Sequence, residues 1–136
     1  IDESYNANPV SMRAALTLLA QAPMPAIFGR RIAMLGDMLE LGPDELKFHA
    51  ELADVIAALP IDIVHTVGPR MKALHDALPA GKCGMHAQSV AEIRDALVAQ
   101  VVAGDVVMIK GSNGSKMGSV VQALKERHAQ QDKIEG

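Results

Sequence analysis

The sequence predicts an α/β fold, a doubly wound and mostly parallel sheet with helices on both faces. Three observations lead there. Short apolar runs alternate with amphipathic helical stretches five times along the chain. Such alternation builds βαβ units around a parallel sheet, and right-handed crossovers place helices on both faces. The loops also divide by position. Those that follow strands (2–8, 36–42, 68–70, 87–89 and 111–116) include the stretches rich in glycine, charge and carboxamide. Those that follow helices (23–29, 60, 79–82 and 102–104) are mostly turn chemistry. Ligands of open α/β sheets bind beyond the carboxyl ends of the strands. One edge of the sheet therefore reads as functional and the other as structural.

Each element has its own signal. Ile1-Asp2 reads as the end of a strand that began earlier in a longer chain. Asn8 is a favoured N-cap and Pro9 suits the first helical position. Met12, Ala15, Leu16 and Leu19 then share a helix face, and Pro23 and Pro25 end the helix. Residues 31–36 form a short apolar strand. A helix over about 44–59 follows, with Leu46, His49, Leu52, Ala53 and Ile56 inward, and Pro60 closes it. A strand over 61–67 ends at Gly68-Pro69. Met71, Leu74 and Leu78 mark a short helix stopped by Pro79. Residues 83–87 are a weak strand. Ser89 caps a helix carrying Val90, Ile93, Leu97 and Val101. Residues 106–110 are the most strand-like run, and the last helix carries Met117, Val120, Val121 and Leu124. These make one domain over 1–127, followed by a polar, fraying tail over 128–136.

Composition excludes several functions. The chain has 136 residues, 49% of them hydrophobic, enough for a substantial core. Its net charge is −3 and it has no basic stripe, which argues against duplex nucleic acid. Its aromatics are Tyr5, Phe28 and Phe48, too few for base-stacking platforms. Cys83 is the single cysteine, so no internal disulfide forms and a reducing compartment fits. No apolar run approaches the length of a membrane span, and no basic-then-apolar signal opens the chain.

The candidate chemistry lies in three loops. Residues 1–9 are the densest polar stretch, with Asp2, Glu3, Ser4, Tyr5, Asn6 and Asn8 leading into a helix start, a natural place for an anionic or hydroxyl-rich ligand. A capping role accounts for Asn8 and Pro9 alone. Asp2 and Glu3 are adjacent, so they do not read as an acid/base pair. In 36–43, Asp37 sits where a carboxylate can reach a ligand amine or hydroxyl. Asp44 and Glu45 complement the helix dipole. Met38, Leu39 and Leu41 either pack beneath this loop or face a partner domain. Residues 111–116 combine glycines, Ser112, Asn113 and Ser115 with Lys110 and Lys116. A phosphate-type loop and an ordinary glycine-serine turn fit that spacing equally well, and it matches neither the Walker A nor the dinucleotide fingerprint.

The histidines read as structural. His49 belongs to the core and His65 to a strand. His75 and His128 are surface helix residues, and His86 stands at a strand end where it could face the site, with nothing to pair with it. No histidine or cysteine spacing predicts a zinc site. No nucleophile–base pair supports covalent catalysis.

Taken together, these stretches resemble a known family. Asp2-Glu3-Ser4-Tyr5-Asn6-Ala7-Asn8-Pro9-Val10-Ser11-Met12 is similar to the opening motif of the C-terminal domain of the Mur ligases. Residues 34–42 resemble a second signature of that domain. Lys110-Gly111-Ser112 with Lys116-Met117 resembles a third. The likeness is to the branch that adds D-Ala-D-Ala to UDP-MurNAc-tripeptide. Other amino-acid-adding or folylpolyglutamate-type ligases, and a non-catalytic α/β binding module, are the rival readings.

The resemblance implies a Rossmann-like domain of a three-domain, ATP-dependent amide-bond ligase of the bacterial cytoplasm. The N-terminal domain would hold the UDP-sugar. The central domain would hold the ATP phosphates and magnesium. The C-terminal domain would close over ATP and help to bind the dipeptide. Glu3 matches a carboxylate that contacts the ATP ribose, a role Asp2 could share. Asn6 and Asn8 match an Asn-Ala-Asn signature beside nucleotide and incoming substrate, with Tyr5 in the same motif. Ser112 matches a position near the acceptor substrate, and Asp37, Lys110 and Lys116 occupy motif positions. No metal ligand and no catalytic residue is implied within this domain alone.

Overall fold

A computed structural model describes residues 2–3, 7–24, 27–112 and 116–135, apart from the side chains of 2–3 and 128–135. The strands are β1 (Asp2–Glu3), β2 (Arg31–Gly36), β3 (Ile63–Val67), β4 (Cys83–Ala87) and β5 (Val106–Lys110). The helices are α1 (Pro9–Gln21), α2 (Glu45–Ala57), α3 (Lys72–Ala77), α4 (Val90–Gln100) and α5 (Gly118–Glu135). A 3₁₀ turn, Gly42–Asp44, leads into α2. The sheet order is β1-β5-β2-β3-β4 and every neighbouring pair runs parallel. The fold is the doubly wound α/β architecture expected from the alternation, and the Rossmann-like one that the resemblance implies.

Strand periodicity divides the core in two. In β2, Ala33 and Leu35 face a cluster with Met12, Leu16 and Leu19 of α1, Leu52 and Ile56 of α2, and Leu74 of α3. Ile32 and Met34 face the opposite cluster with Ile93 and Leu97 of α4 and Val120 and Leu124 of α5. β2 is apolar on both faces because both are covered, as parallel sheets require. Each fully buried Leu or Met side chain contributes roughly 1.5–3 kcal/mol through removal from water.

The chain path fixes the geometry of the site. The steps through α1, α2 and α3 use one face, and the return from β4 to β5 crosses the other through α4. The connections leaving β2 and β5, which are neighbours, therefore diverge to opposite faces. Such a divergence opens a crevice at the carboxyl ends of the strands.

Some expectations shift. Leu46 was expected inside but is 54% exposed. The 3₁₀ turn before it offsets the helix start, so the buried stripe begins at His49. β3 begins at Ile63 rather than 61. The backbone at Asp62 still donates to the Arg31 carbonyl (2.9 Å), while the Asp62 carboxylate accepts from Arg31 N (2.7 Å). Met38 is fully buried, so it packs beneath its loop, while Leu39 stays half-exposed. The backbone of α5 runs through 128–135.

Candidate functional site

Asp37 stands one residue beyond β2 and is 4% exposed. Its Oδ1 accepts from Met71 N at 2.8 Å. Its Oδ2 accepts from Arg70 N at 3.2 Å and from Arg70 Nη1 at 3.4 Å. Gly68, at φ +113°, lies directly against this carboxylate, and a Cβ there would fall 2.4 Å from the Asp37 Cγ. Only glycine takes that backbone conformation without strain and leaves that space. The Asp37 carbonyl accepts from Ser112 N at 3.1 Å, joining the loops after β2 and β5 where their paths diverge.

Arg70 is the second centre. Its Nε donates to Glu45 Oε2 at 2.7 Å while its Nη1 reaches Asp37. The Glu45 hydrogen bond, opposed by some desolvation and supported by Asp37, raises the guanidinium above its ordinary pKa. Glu45 thus has a specific partner beyond the dipole role read from sequence. The buried His49 completes the arrangement. Its Nε2 accepts from Met38 N at 3.0 Å and its Nδ1 lies 2.6 Å from the Glu45 carbonyl. This geometry fixes the neutral tautomer with the proton on Nδ1.

A cavity of about 420 Å³ opens beside these groups, with Asp37, Leu39, Gly68, Arg70, Ser89 and Lys116 in its wall. Lys116 has φ +61°, as does Glu40 in the loop after β2. For non-glycine residues that conformation costs energy, and such residues concentrate at functional sites. Ser89 occupies the N-cap of α4 but makes no side-chain cap bond. Instead Glu92 accepts from Gln88 N at 3.3 Å.

The other candidates are placed less completely. Lys110 ends β5 and is 2% exposed, in register with Glu3 and Leu35 on either side. Ser112 is half-buried. Asn8 serves the capping reading: its Oδ1 accepts from Ser11 N at 2.9 Å and Ser11 Oγ accepts from Asn8 N at 3.0 Å. The backbones of Asp2 and Glu3 lie in β1 beside Ile109 and Lys110. Ser4, Tyr5, Asn6 and Asn113 to Ser115 lie outside the described residues.

Sequence reasoning missed Arg70, Gly68 and Glu45 as parts of the site. Pro69-Arg70 after an apolar run was the available signal, but its partners are fixed only when β3 lies against β2. His86 also has a partner that the sequence does not reveal. Its Nδ1 lies 2.8 Å from Thr66 Oγ1, and its ring is 5.1 Å from that of His75. Burial, then the neighbouring His75 and Lys72 charges, lower its pKa. Cys83 has a neighbour too, with Sγ 3.4 Å from His75 Nδ1. Among the described residues no three His, Cys, Asp or Glu side chains are grouped to hold a metal ion.

The opposite edge is built differently. Asp105 accepts from Arg30 Nη2 (2.8 Å), Arg30 Nε (3.2 Å), Arg30 N (3.1 Å) and Val102 N (2.9 Å). Burial pushes its pKa upward, but these hydrogen bonds hold it below the usual carboxylate value. This clasp ties the start of β2 to the turn before β5.

Known proteins show the same fold and similar sequences. MurF from Acinetobacter baumannii superposes with a TM-score of 0.76 at 30% identity, over 90% of this chain and 26% of that one. MurF ligase from Thermotoga maritima, solved in complex with ADP, shares the fold with a TM-score of 0.73 at 24% identity. The UDP-N-acetylmuramoyl-tripeptide–D-alanyl-D-alanine ligase of Escherichia coli (strain K12) is 34% identical over 93% of this chain and 26% of its own length. That of Mycobacterium tuberculosis (strain ATCC 25618 / H37Rv) is 36% identical over 91% of the chain and 28% of its own length. The chain thus spans about a quarter of the length of these curated relatives. With a family model matching residues 1–113, the chain belongs to the family described as Mur ligase, glutamate ligase domain.

Proposed function

We propose that residues 1–127 form the C-terminal domain of an ATP-dependent ligase adding D-Ala-D-Ala to UDP-MurNAc-tripeptide in bacterial peptidoglycan synthesis. The observation that carries this reading is the similarity to UDP-N-acetylmuramoyl-tripeptide–D-alanyl-D-alanine ligases over nine-tenths of the chain, at 34% identity for the Escherichia coli enzyme. In the reaction a substrate carboxylate attacks the terminal phosphorus of ATP, giving an acyl phosphate and ADP. The dipeptide amine then attacks the acyl carbon, phosphate leaves, and the amine loses its proton. Such chemistry needs positioning and charge stabilisation rather than a nucleophile from this domain.

The domain contributes its carboxyl-edge loops to a site completed by the rest of the ligase in the cytoplasm. Glu3 serves the ATP ribose, with Asp2 and Tyr5 beside it, and Asn6 and Asn8 lie beside both the nucleotide and the incoming substrate. Ser112 lies near the acceptor substrate, and Lys110 and Lys116 add positive charge to the same edge. Closure of the domain brings these contacts in late and excludes water. Magnesium and the ATP phosphates fall to the central domain. Asp37 and Glu45, the carboxylates described at this site, are both spent on Arg70.

The test is a coupled assay of the complete protein with ATP, UDP-MurNAc-tripeptide and D-Ala-D-Ala, and with other amino acids in its place. The expected result is ADP formation dependent on D-Ala-D-Ala, with no turnover by the 136-residue chain alone. Preference for a different amine substrate, or ligation by the isolated chain, would overturn the proposal.

A further inference from the structure

We infer that Asp37 is a positioning residue for the proposed ligation, acting through Arg70 and neighbouring loop backbones rather than by touching substrate. The inference rests on the functional reading above and on the geometry of one carboxylate.

A carboxylate that binds ligand needs an oxygen turned toward it. Both Asp37 oxygens instead accept from the loop after β3. Oδ1 is taken by Met71 N, and Oδ2 by Arg70 N and Arg70 Nη1. Gly68 closes against the same group so tightly that even a methyl would collide with it. The residue is 4% exposed, although it borders the cavity.

What the contacts join is more informative than their number. The carboxylate holds the loop between β3 and α3. The backbone carbonyl of the same residue holds Ser112, in the loop after β5. The next residue, Met38, is held from below by His49. A closed circuit results: Asp37 to Arg70, Arg70 to Glu45, Glu45 through its carbonyl to His49, and His49 back to Met38. These strand-end loops lack a shared ladder beyond their strands, so the circuit sets their mutual position. It also fixes the Arg70 side chain in the cavity wall before substrate arrives. A side chain already ordered loses less freedom on binding.

Removing the carboxylate should therefore loosen the loops and leave the sheet intact. In the complete ligase, Asp37→Asn should raise KM for the amine substrate about tenfold, with a smaller change in kcat. On an Arg70→Gln background, the same substitution should raise KM by less than it does alone, because one of its three contacts is already gone. Gly68→Ala, which attacks the clasp from the other side, should reproduce the KM effect. Unchanged kinetics in Asp37→Asn, or additive effects in the double variant, would overturn the inference.

A second measurement does not depend on activity. In the 136-residue chain, Asp37→Ala, which removes both acceptor oxygens, should speed amide hydrogen exchange at Met71 and Arg70 while β3 stays protected. Unchanged exchange at Met71 would overturn the clasp. Loss of protection throughout the sheet would also overturn it, since Asp37 would then hold the fold rather than the loops. If the complete wild-type protein failed to ligate D-Ala-D-Ala, the functional proposal would fall while the exchange result still judged the clasp.

Discussion

His65 lies in the middle of β3 and is 1% exposed, with its ring against Gly84. Its Nδ1 accepts from Met85 N at 2.9 Å, so the ring must be neutral with its proton on Nε2. Burial, with a smaller contribution from the Arg30 charge, lowers its pKa to about 4. The unfolded chain takes up this proton near the ordinary value of about 6.5. The neutral form's stabilisation is thus complete above that pH and is lost as pH falls toward 4. The loss approaches about 1.4 kcal/mol per pH unit across that window. Urea unfolding between pH 7 and pH 4 should show this slope, with the His65 ring remaining neutral by NMR well below pH 6. The strand position of His65 was legible from its apolar neighbours. Its neutral state was not, because it depends on Met85 arriving from β4.

At the scale of elements, α1 was the most legible. Asn8, Pro9 and the spacing of Met12, Leu16 and Leu19 gave its start and its buried face, and local chemistry explains why. The Asn8–Ser11 capping box forms within four residues and needs no tertiary support. Asn8→Ala should lower domain stability by about 1 kcal/mol in chemical denaturation while leaving the sheet unchanged. A loss near zero would show that the cap is dispensable. α2 was legible except for Leu46, because the 3₁₀ turn that shifts its entry depends on how Gly42 and Pro43 leave the β2 loop. Cys83, His75 and His86 stand apart along the sequence. They meet only because α3 packs beside β3 and β4, which no spacing along the chain encodes.

For the whole molecule, the parallel order β1-β5-β2-β3-β4 decides what the carboxyl edge contains. It brings Lys110 beside Glu3, and Ser112 to the carbonyl of Asp37. It also separates that edge from the Arg30–Asp105 clasp at the other end of the sheet. If the opening loop is half of a site completed by the rest of a ligase, Asn6→Ala should cut ligation by the complete enzyme at least about tenfold. The thermal midpoint of the domain should change little. Unchanged ligation would reduce Asn6 to a loop residue next to a cap.

The sequence alone determined the element types, the concentration of polar groups on strand-end loops and the family motifs. Each of these is local: apolar period, capping chemistry and turn residues act over a few positions and survive any arrangement of the sheet. Tertiary structure decided which polar groups meet and what they are free to do. Asp37 looked like a ligand-facing carboxylate while it was one residue in a loop. Once β3 lies against β2, Met71, Arg70 and Gly68 surround it, and both of its carboxylate oxygens accept from the neighbouring loop.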